Sequence, residues 1–194
     1  IPNGIDQSLF SGREERVPGR LIWTSNLNRG LPSAVRIFRR LRAQYPWMEL
    51  HIYGRGSVYG WGASHDVGWL PPPGEPGVVL QEPLPKHLLA RELMKAWAFF
   101  YLATWPETSC LAALEAQMAG TPVISVPYGA LVDTVQGGIL KWDIEEAVEE
   151  LQDAEYWELL SLRGREFARN LTWERIGDAW NSLLRQESET EEPK

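Results

Sequence analysis

The sequence predicts an α/β fold, a parallel sheet with helices on both faces, and three observations carry that prediction. Short apolar runs alternate with longer segments of helical periodicity through residue 126. The run "AFFYLAT" (98–104) has no polar interruption, as a strand buried on both faces requires. Gly and Pro sit at the junctions: Gly54 ends one strand, Gly120 closes a helix and Pro122 opens the next strand.

The elements follow in order. "RLIWTS" (20–25) reads as a strand, and "LPSAVRIFRRLRAQYP" as a helix with Pro32 in its first turn and Val35, Phe38 and Leu41 facing inward. On that helix Arg36, Arg39, Arg40 and Arg42 take the solvated face. "MELHIYG" (48–54) is the second strand, residues 55–77 an irregular surface stretch rich in Gly and Pro, and "VVL" (78–80) the third strand. A helix over about 86–96 precedes the central strand. A second helix starts near Thr108 or Ser109, and "PVISV" follows as a strand. From about 143 the chain reads as helices alone, opened near Asp143, Ala154 and Thr172. Residues 1–186 thus form one unit, and the acidic end, 187–194, is expected to be disordered.

Composition excludes several classes of function. With 26 acidic against 19 basic residues and a net charge of -7, neither nucleic acid nor an anionic membrane is expected as the main partner. No apolar run reaches membrane-spanning length, and the single Cys110 excludes an internal disulfide framework, so a reducing, cytoplasmic setting is expected. His51, His65 and His87 lie far apart, which gives no metal site. Gly54, Gly56 and Gly60 follow the second strand at the wrong spacing for a dinucleotide turn. A serine or cysteine triad also lacks support, since no G-x-S-x-G elbow occurs.

The stretch "WPETSCLAALEAQMAGTPV" (105–123) stands apart. A strand, a short turn and a helix place a helix N-terminus at the carboxyl edge of a parallel sheet, where α/β domains bind ligands. Amides of Ser109, Cys110 and Leu111 there suit a phosphate. At 100° per residue Glu115 lies about 40° from Leu111, on a stripe expected to be apolar with Leu114 and Met118. A carboxylate in such a stripe needs a partner. A ribose diol about 10 Å along the helix from its start would serve, and so would a cation such as Arg29 or Lys86.

Glu107 and Glu115 form a Glu-x7-Glu pair inside "PETSCLAALEAQMAGTPVI", which resembles the "P-S-x-x-E-x-F-G-x-x-x-x-E-A-M-A-x-G-x-P-V" segment of retaining nucleotide-sugar glycosyltransferases of the GT-B architecture, group 1 or family four. In the expected order, "IPNGID", "RLIWTSNLNRGL", "ELHIYGRG", "VPYGALVDTV" and "WERIGDAW" resemble further segments of that family. The chain departs from it at Thr24 and Arg29, which stand where the family carries Arg and Lys, at Ser109-Cys110 in place of an aromatic-glycine pair, and at Asp133 in place of Glu.

The resemblance implies a Rossmann-like, C-terminal donor-binding half, with the N-terminal acceptor half absent from this chain and the isolated domain inactive. It implies transfer of a hexosyl-type sugar from a nucleoside-diphosphate sugar with retention, to a glycan, lipid or protein acceptor, without cofactor or metal. Glu107 and Arg29 take the catalytic roles, orienting the sugar and neutralising the diphosphate. Ser25, Asn26 and Gly30 join Arg29 on one side of the nucleotide sugar; Thr108, Ser109, Cys110, Leu111 and Glu115 join Glu107 on the other. A non-catalytic module that binds a nucleotide sugar or docks a partner is the alternative. A dinucleotide oxidoreductase is disfavoured for want of the glycine fingerprint.

Overall fold

A computed structural model describes residues 1–54, 60, 68 and 70–190. Six parallel strands run β1 (Val17–Trp23), β2 (Glu49–Ile52), β3 (Val78–Leu80), β4 (Ala96–Tyr101), β5 (Val123–Ser125) and β6 (Gly138–Leu140), in the spatial order β3-β2-β1-β4-β5-β6. The order reverses between β1 and β4, so the connections after these two strands run apart and leave a crevice at the carboxyl edge. Both strands are apolar because both are covered on two faces: Leu21, Ile22, Trp23 and the whole of Ala98–Tyr101 are fully buried.

The helices are α1 (Leu31–Gln44), α2 (Lys86–Lys95), α3 (Leu111–Met118), α4 (Leu131–Thr134), α5 (Ile144–Glu150), α6 (Ala154–Arg169) and α7 (Trp173–Thr190). Helix α1 lies beside α5, while α3 adjoins both α2 and α6, which gives a helical layer on each face. Side chains of Asp143 and Thr172 accept hydrogen bonds from the backbone amides three residues on, as expected for these helix starts, and Asp153 does the same just before Ala154. A smaller cluster of Ile5, Leu114, Met118, Ala168, Leu171 and Ile176 ties the first residues to α3, α6 and α7.

Several expectations need correction. Helix α3 starts at Leu111, two or three residues late, because Cys110 takes a left-handed backbone (φ 55°) that ends the preceding turn. Leu111 is exposed; Leu114 and Met118 are buried as expected, and Ala113, Ala116 and Gln117 are buried with them. Arg42 does not lie in solvent: its guanidinium reaches inward to the carbonyl of Met48 at 2.7 Å. Strand β6 and helix α4 have no counterpart in the sequence reading: β6 opens on the Gly137-Gly138 pair, which reads as a turn, and α4 at four residues is too short for a period to show. Helix α7 continues to Thr190 where disorder was expected, since extending an existing helix costs little even without apolar residues. Residues 191–194, and most of the Gly-rich stretch with Gly56 and His65, lie outside the described residues.

Gln117 is fully buried, and its amide accounts for four backbone groups. Oε1 accepts from the amides of Gln136 and Gly137, each at 2.8 Å, and Nε2 donates to Ala113 O at 3.1 Å and Thr134 O at 2.8 Å. It thereby fastens α3 to the segment entering β6. Gln117→Leu, similar in size, should lower the unfolding free energy by about 2–4 kcal/mol in urea titration, because it strands the buried amide of Gly137, the half-buried one of Gln136 and the Thr134 carbonyl. A change under about 0.5 kcal/mol would show that those amides find other partners.

Candidate functional site

The cleft at the β1/β4 crevice is built from two turns. After β1, Asn26 accepts the amide of Asn28 at 3.3 Å and caps a single 3-10 turn, Leu27–Arg29, which Gly30 ends at φ 118°. A Cβ at Gly30 would lie 1.9 Å from the carbonyl oxygen of Leu102, so only glycine lets this turn rest on the end of β4. Arg29 is thereby aimed across the crevice. After β4, the backbone of Glu107 pairs with Gly129, and its carbonyl accepts the amide of Ala130 at 2.7 Å.

The Glu107 carboxylate, 3% exposed, is where the two turns meet. Arg29 Nη1 lies 2.9 Å from each of its oxygens, and the Tyr101 hydroxyl donates a short bond to Oε1. Burial opposes the Arg29 charge, but the hydrogen bond and charge of Glu107 outweigh it and raise the guanidinium above its ordinary pKa. Burial, then the bond to Glu107, raises the Tyr101 phenol, which stays a neutral donor. With its side chain 45% exposed, Arg29 presents one edge to Glu107 and the other to the cleft.

Glu115 sits one turn into α3, only 21% exposed, and Lys86 Nζ at the start of α2 lies 3.3 Å from its Oε1. Of the two protein cations considered for Glu115, Lys86 is therefore the partner; Arg29 serves Glu107. Both pairs border one cleft of about 350 Å³, shared with Asn3, Thr24 and Ser25 on one side and Thr108 to Ala112 on the other. The amides of the first helical turn there belong to Leu111 and Ala112, not to Ser109 and Cys110, since the helix begins later than expected.

Of the residues singled out in the sequence, Ser25, Arg29, Glu107, Thr108, Ser109, Cys110, Leu111 and Glu115 come together in this cleft. Asn26 and Gly30 do not line it; they shape the turn that carries Arg29. Asp133 is exposed on α4, away from the cleft. Sequence reasoning missed Asn3 and the place of Lys86 within the site; the start of the helix after β3 falls at the same sheet edge, a signal that was available for Lys86. The Thr24 hydroxyl is buried with no hydrogen-bond partner among the described residues.

A larger cavity, about 700 Å³, opens beside Arg16 and Trp157. We place the site elsewhere because the Arg16 guanidinium is committed to the fold: Nη1 donates to Ala96 O and Thr121 Oγ1, both at 2.6 Å, and Nη2 to Gly120 O at 2.9 Å. Among the described residues no group of three His, Cys, Asp or Glu side chains converges, and no helix is long and apolar enough to cross a membrane.

The sequence model of the family described as glycosyl transferases group 1 matches residues 18–155. No curated protein matches the chain. Among solved structures, a sucrose-phosphate synthase from Thermosynechococcus elongatus is similar with a TM-score of 0.72 at 22% identity, over 98% of this chain and 52% of that one. A GtfA/B complex gives 0.70 at 21% identity, over 95% and 39%, and an α,α-trehalose 6-phosphate synthase from Burkholderia multivorans 0.68 at 12%, over 95% and 44%. The chain thus spans about half or less of the structures it resembles, and at these identities the likeness establishes the fold, a parallel Rossmann-like sheet as found in GT-B glycosyltransferases.

Cys110 gives a direct check on the cleft floor. Burial pushes its thiol up from 9.0 to about 12, so at pH 8 about one molecule in ten thousand carries the thiolate. Iodoacetamide at pH 8 should leave Cys110 unmodified in the folded chain and label it in urea, as read by intact mass. The raised pKa also implies stability that is fully present below pH 9 and falls as the pH rises from 9 toward 12. Rapid labelling of the folded chain would place the thiol in solvent instead.

Proposed function

The chain belongs to the group 1 glycosyl transferases, and on that premise we propose that it is the half of such an enzyme that binds the nucleoside-diphosphate sugar. The observation that carries the reading is the convergence of Arg29, Glu107, Glu115 and the first-turn amides of α3 on one cleft at the strand-order reversal. Such a cleft suits an extended ligand with a sugar at one end, a diphosphate in the middle and a ribose at the other. Glu107 orients the sugar hydroxyls, held by Arg29 and Tyr101. Arg29 and the amides of Leu111 and Ala112 meet the diphosphate, and the Glu115 carboxylate accepts from the two ribose hydroxyls.

Transfer then breaks the bond between the anomeric carbon and the diphosphate oxygen. The charge left on the diphosphate is stabilised by groups already in place, which is electrostatic catalysis. The acceptor oxygen bonds to the face the diphosphate leaves, its proton passing to the departing phosphate oxygen, so configuration is retained. This route needs no protein base and no metal. The neutral Cys110 thiol is no nucleophile. The acceptor, a glycan, lipid or protein, would be held by an N-terminal half that works together with this one.

The binding half of this reading is tested on the 194-residue chain itself. A thermal-shift screen with UDP, GDP, ADP and dTDP should show at least one nucleotide raising the melting temperature. Glu115→Gln should then weaken that nucleotide by roughly ten- to a hundredfold in calorimetric titration, since one of two acceptor oxygens becomes a donor. Its unliganded stability should move by less than about 1 kcal/mol, because the Lys86 pair it loses is solvent-exposed. Wild-type affinity in the variant would remove Glu115 from the ligand.

A further inference from the structure

We propose that Lys86 is the second cation of the diphosphate site, and that ligand binding transfers it there from Glu115. The inference rests on the nucleotide-sugar reading of the cleft and adds a residue and an order of events to it. In the structure the four charged groups of the cleft are paired with each other, Arg29 with Glu107 and Lys86 with Glu115. The cleft is neutral overall, whereas a nucleoside diphosphate brings at least two negative charges. Something must be released to meet them.

The two pairs are not equally able to open. Glu107 is buried, and removing Arg29 from it would leave a charge in the interior with, among the described residues, the Tyr101 hydroxyl as its remaining side-chain partner. The Lys86 side chain is 76% exposed and its one ion pair among the described residues is at 3.3 Å, an arrangement that costs little to break. Its backbone is fixed as the first residue of α2, following Pro85, but four methylenes separate that anchor from the ammonium. Lys86 borders the same cleft as Arg29 and the first turn of α3, so the ammonium can swing toward a phosphate without any movement of the chain. The end of β1 offers the hydroxyls of Thr24 and Ser25 but no charge, and leaves that need unmet.

Glu115 supplies the other half of the exchange. Lys86 bonds Oε1, while a ribose diol takes both carboxylate oxygens, so the ribose and the ammonium compete for one acceptor. When the diol arrives the lysine is displaced, and the diphosphate beside it provides a stronger partner. No bond is made or broken; two ion pairs become one ion pair, one carboxylate–diol contact and one ammonium–phosphate contact.

The exchange predicts opposite effects on two related ligands. With the nucleoside diphosphate that binds the wild-type chain among UDP, GDP, ADP and dTDP, and its parent nucleoside, Lys86→Met should lose about tenfold in diphosphate affinity. The same variant should bind the nucleoside as well as wild type or better, because Glu115 is no longer occupied. Lys86→Arg should recover the diphosphate affinity. Calorimetry for the diphosphate and NMR titration for the nucleoside read the two, with thermal unfolding as the control for folding. Equal loss of both ligands would make Lys86 a structural residue, and undiminished diphosphate affinity would remove it from the phosphate; either result overturns the exchange while leaving the nucleotide reading standing. If none of the four diphosphates binds the wild-type chain, the nucleotide reading itself fails and the exchange falls with it.

Discussion

A carboxylate buried at the end of the central strand organises the cleft. Glu107 sits almost out of water, and an ion in that position is tolerated only when its charge is matched and its lone pairs are occupied. Arg29 supplies the charge from the turn after β1, Tyr101 a hydroxyl from the strand itself, and the Gly129–Ala130 backbone a clamp from the turn after β5. Three separate segments are therefore registered on one side chain. The glycines follow from the same constraint: Gly30 and Gly129 stand where the backbone must pass so close to the β4 end that a Cβ would lie 1.9 Å and 2.6 Å from backbone atoms.

The topology explains why this happens between β1 and β4. In a sheet ordered β3-β2-β1-β4-β5-β6, the chain leaves β1 toward one layer and β4 toward the other, so the two turns face each other across a gap that neither helix fills. A polar pair spanning that gap is reachable by ligand from one side and packed by protein on the other. Arg29, half exposed and yet bonded to a buried acid, is in that position. The amides at the start of α3 point into the same gap, so the cations and the helix end act on one volume.

Much of this was legible in the sequence, and the reasons for the rest are physical. The strands β1, β2 and β4, the helices α1 to α3 and the helical end follow from apolar runs and periodicities, and the short β3 and β5 from apolar residues set directly after Gly77 and Pro122. Placing Glu107 and Glu115 at one cleft followed from the rule that connections at the carboxyl edge converge, while Arg29 joined them through the family resemblance. The start of α3 was misplaced because Cys110, a residue with no marked preference for a left-handed backbone, interrupts what looks like a continuous helical pattern. Pairing was beyond reach for a related reason. Arg29 or Lys86 could each have served Glu115, and which acid each cation meets depends on a depth difference between Glu107 and Glu115 that no spacing encodes. Gln117 gave no warning at all: in sequence it is one more polar helical residue, and only the approach of the β6 segment turns it into a buried bracket.

That bracket limits how the cleft can respond to a ligand. Helix α3 is held in its middle by Gln117 and at its far end by Arg16 and Arg165, which donate to the carbonyls of Ala119 and Gly120. Its near end is tied through the Ser109 carbonyl to Thr134 at 2.7 Å. A helix restrained at three levels cannot slide or tilt to accommodate a phosphate without breaking buried hydrogen bonds, each costly to leave unmade. Arg29 is restrained in the same way by the acid it neutralises. Adaptation at this cleft is accordingly confined to the side chains that reach into it from outside the frame, and a long cation on the first turn of α2, largely solvated and, among the described residues, joined to the site by one weak contact, is the element free to move.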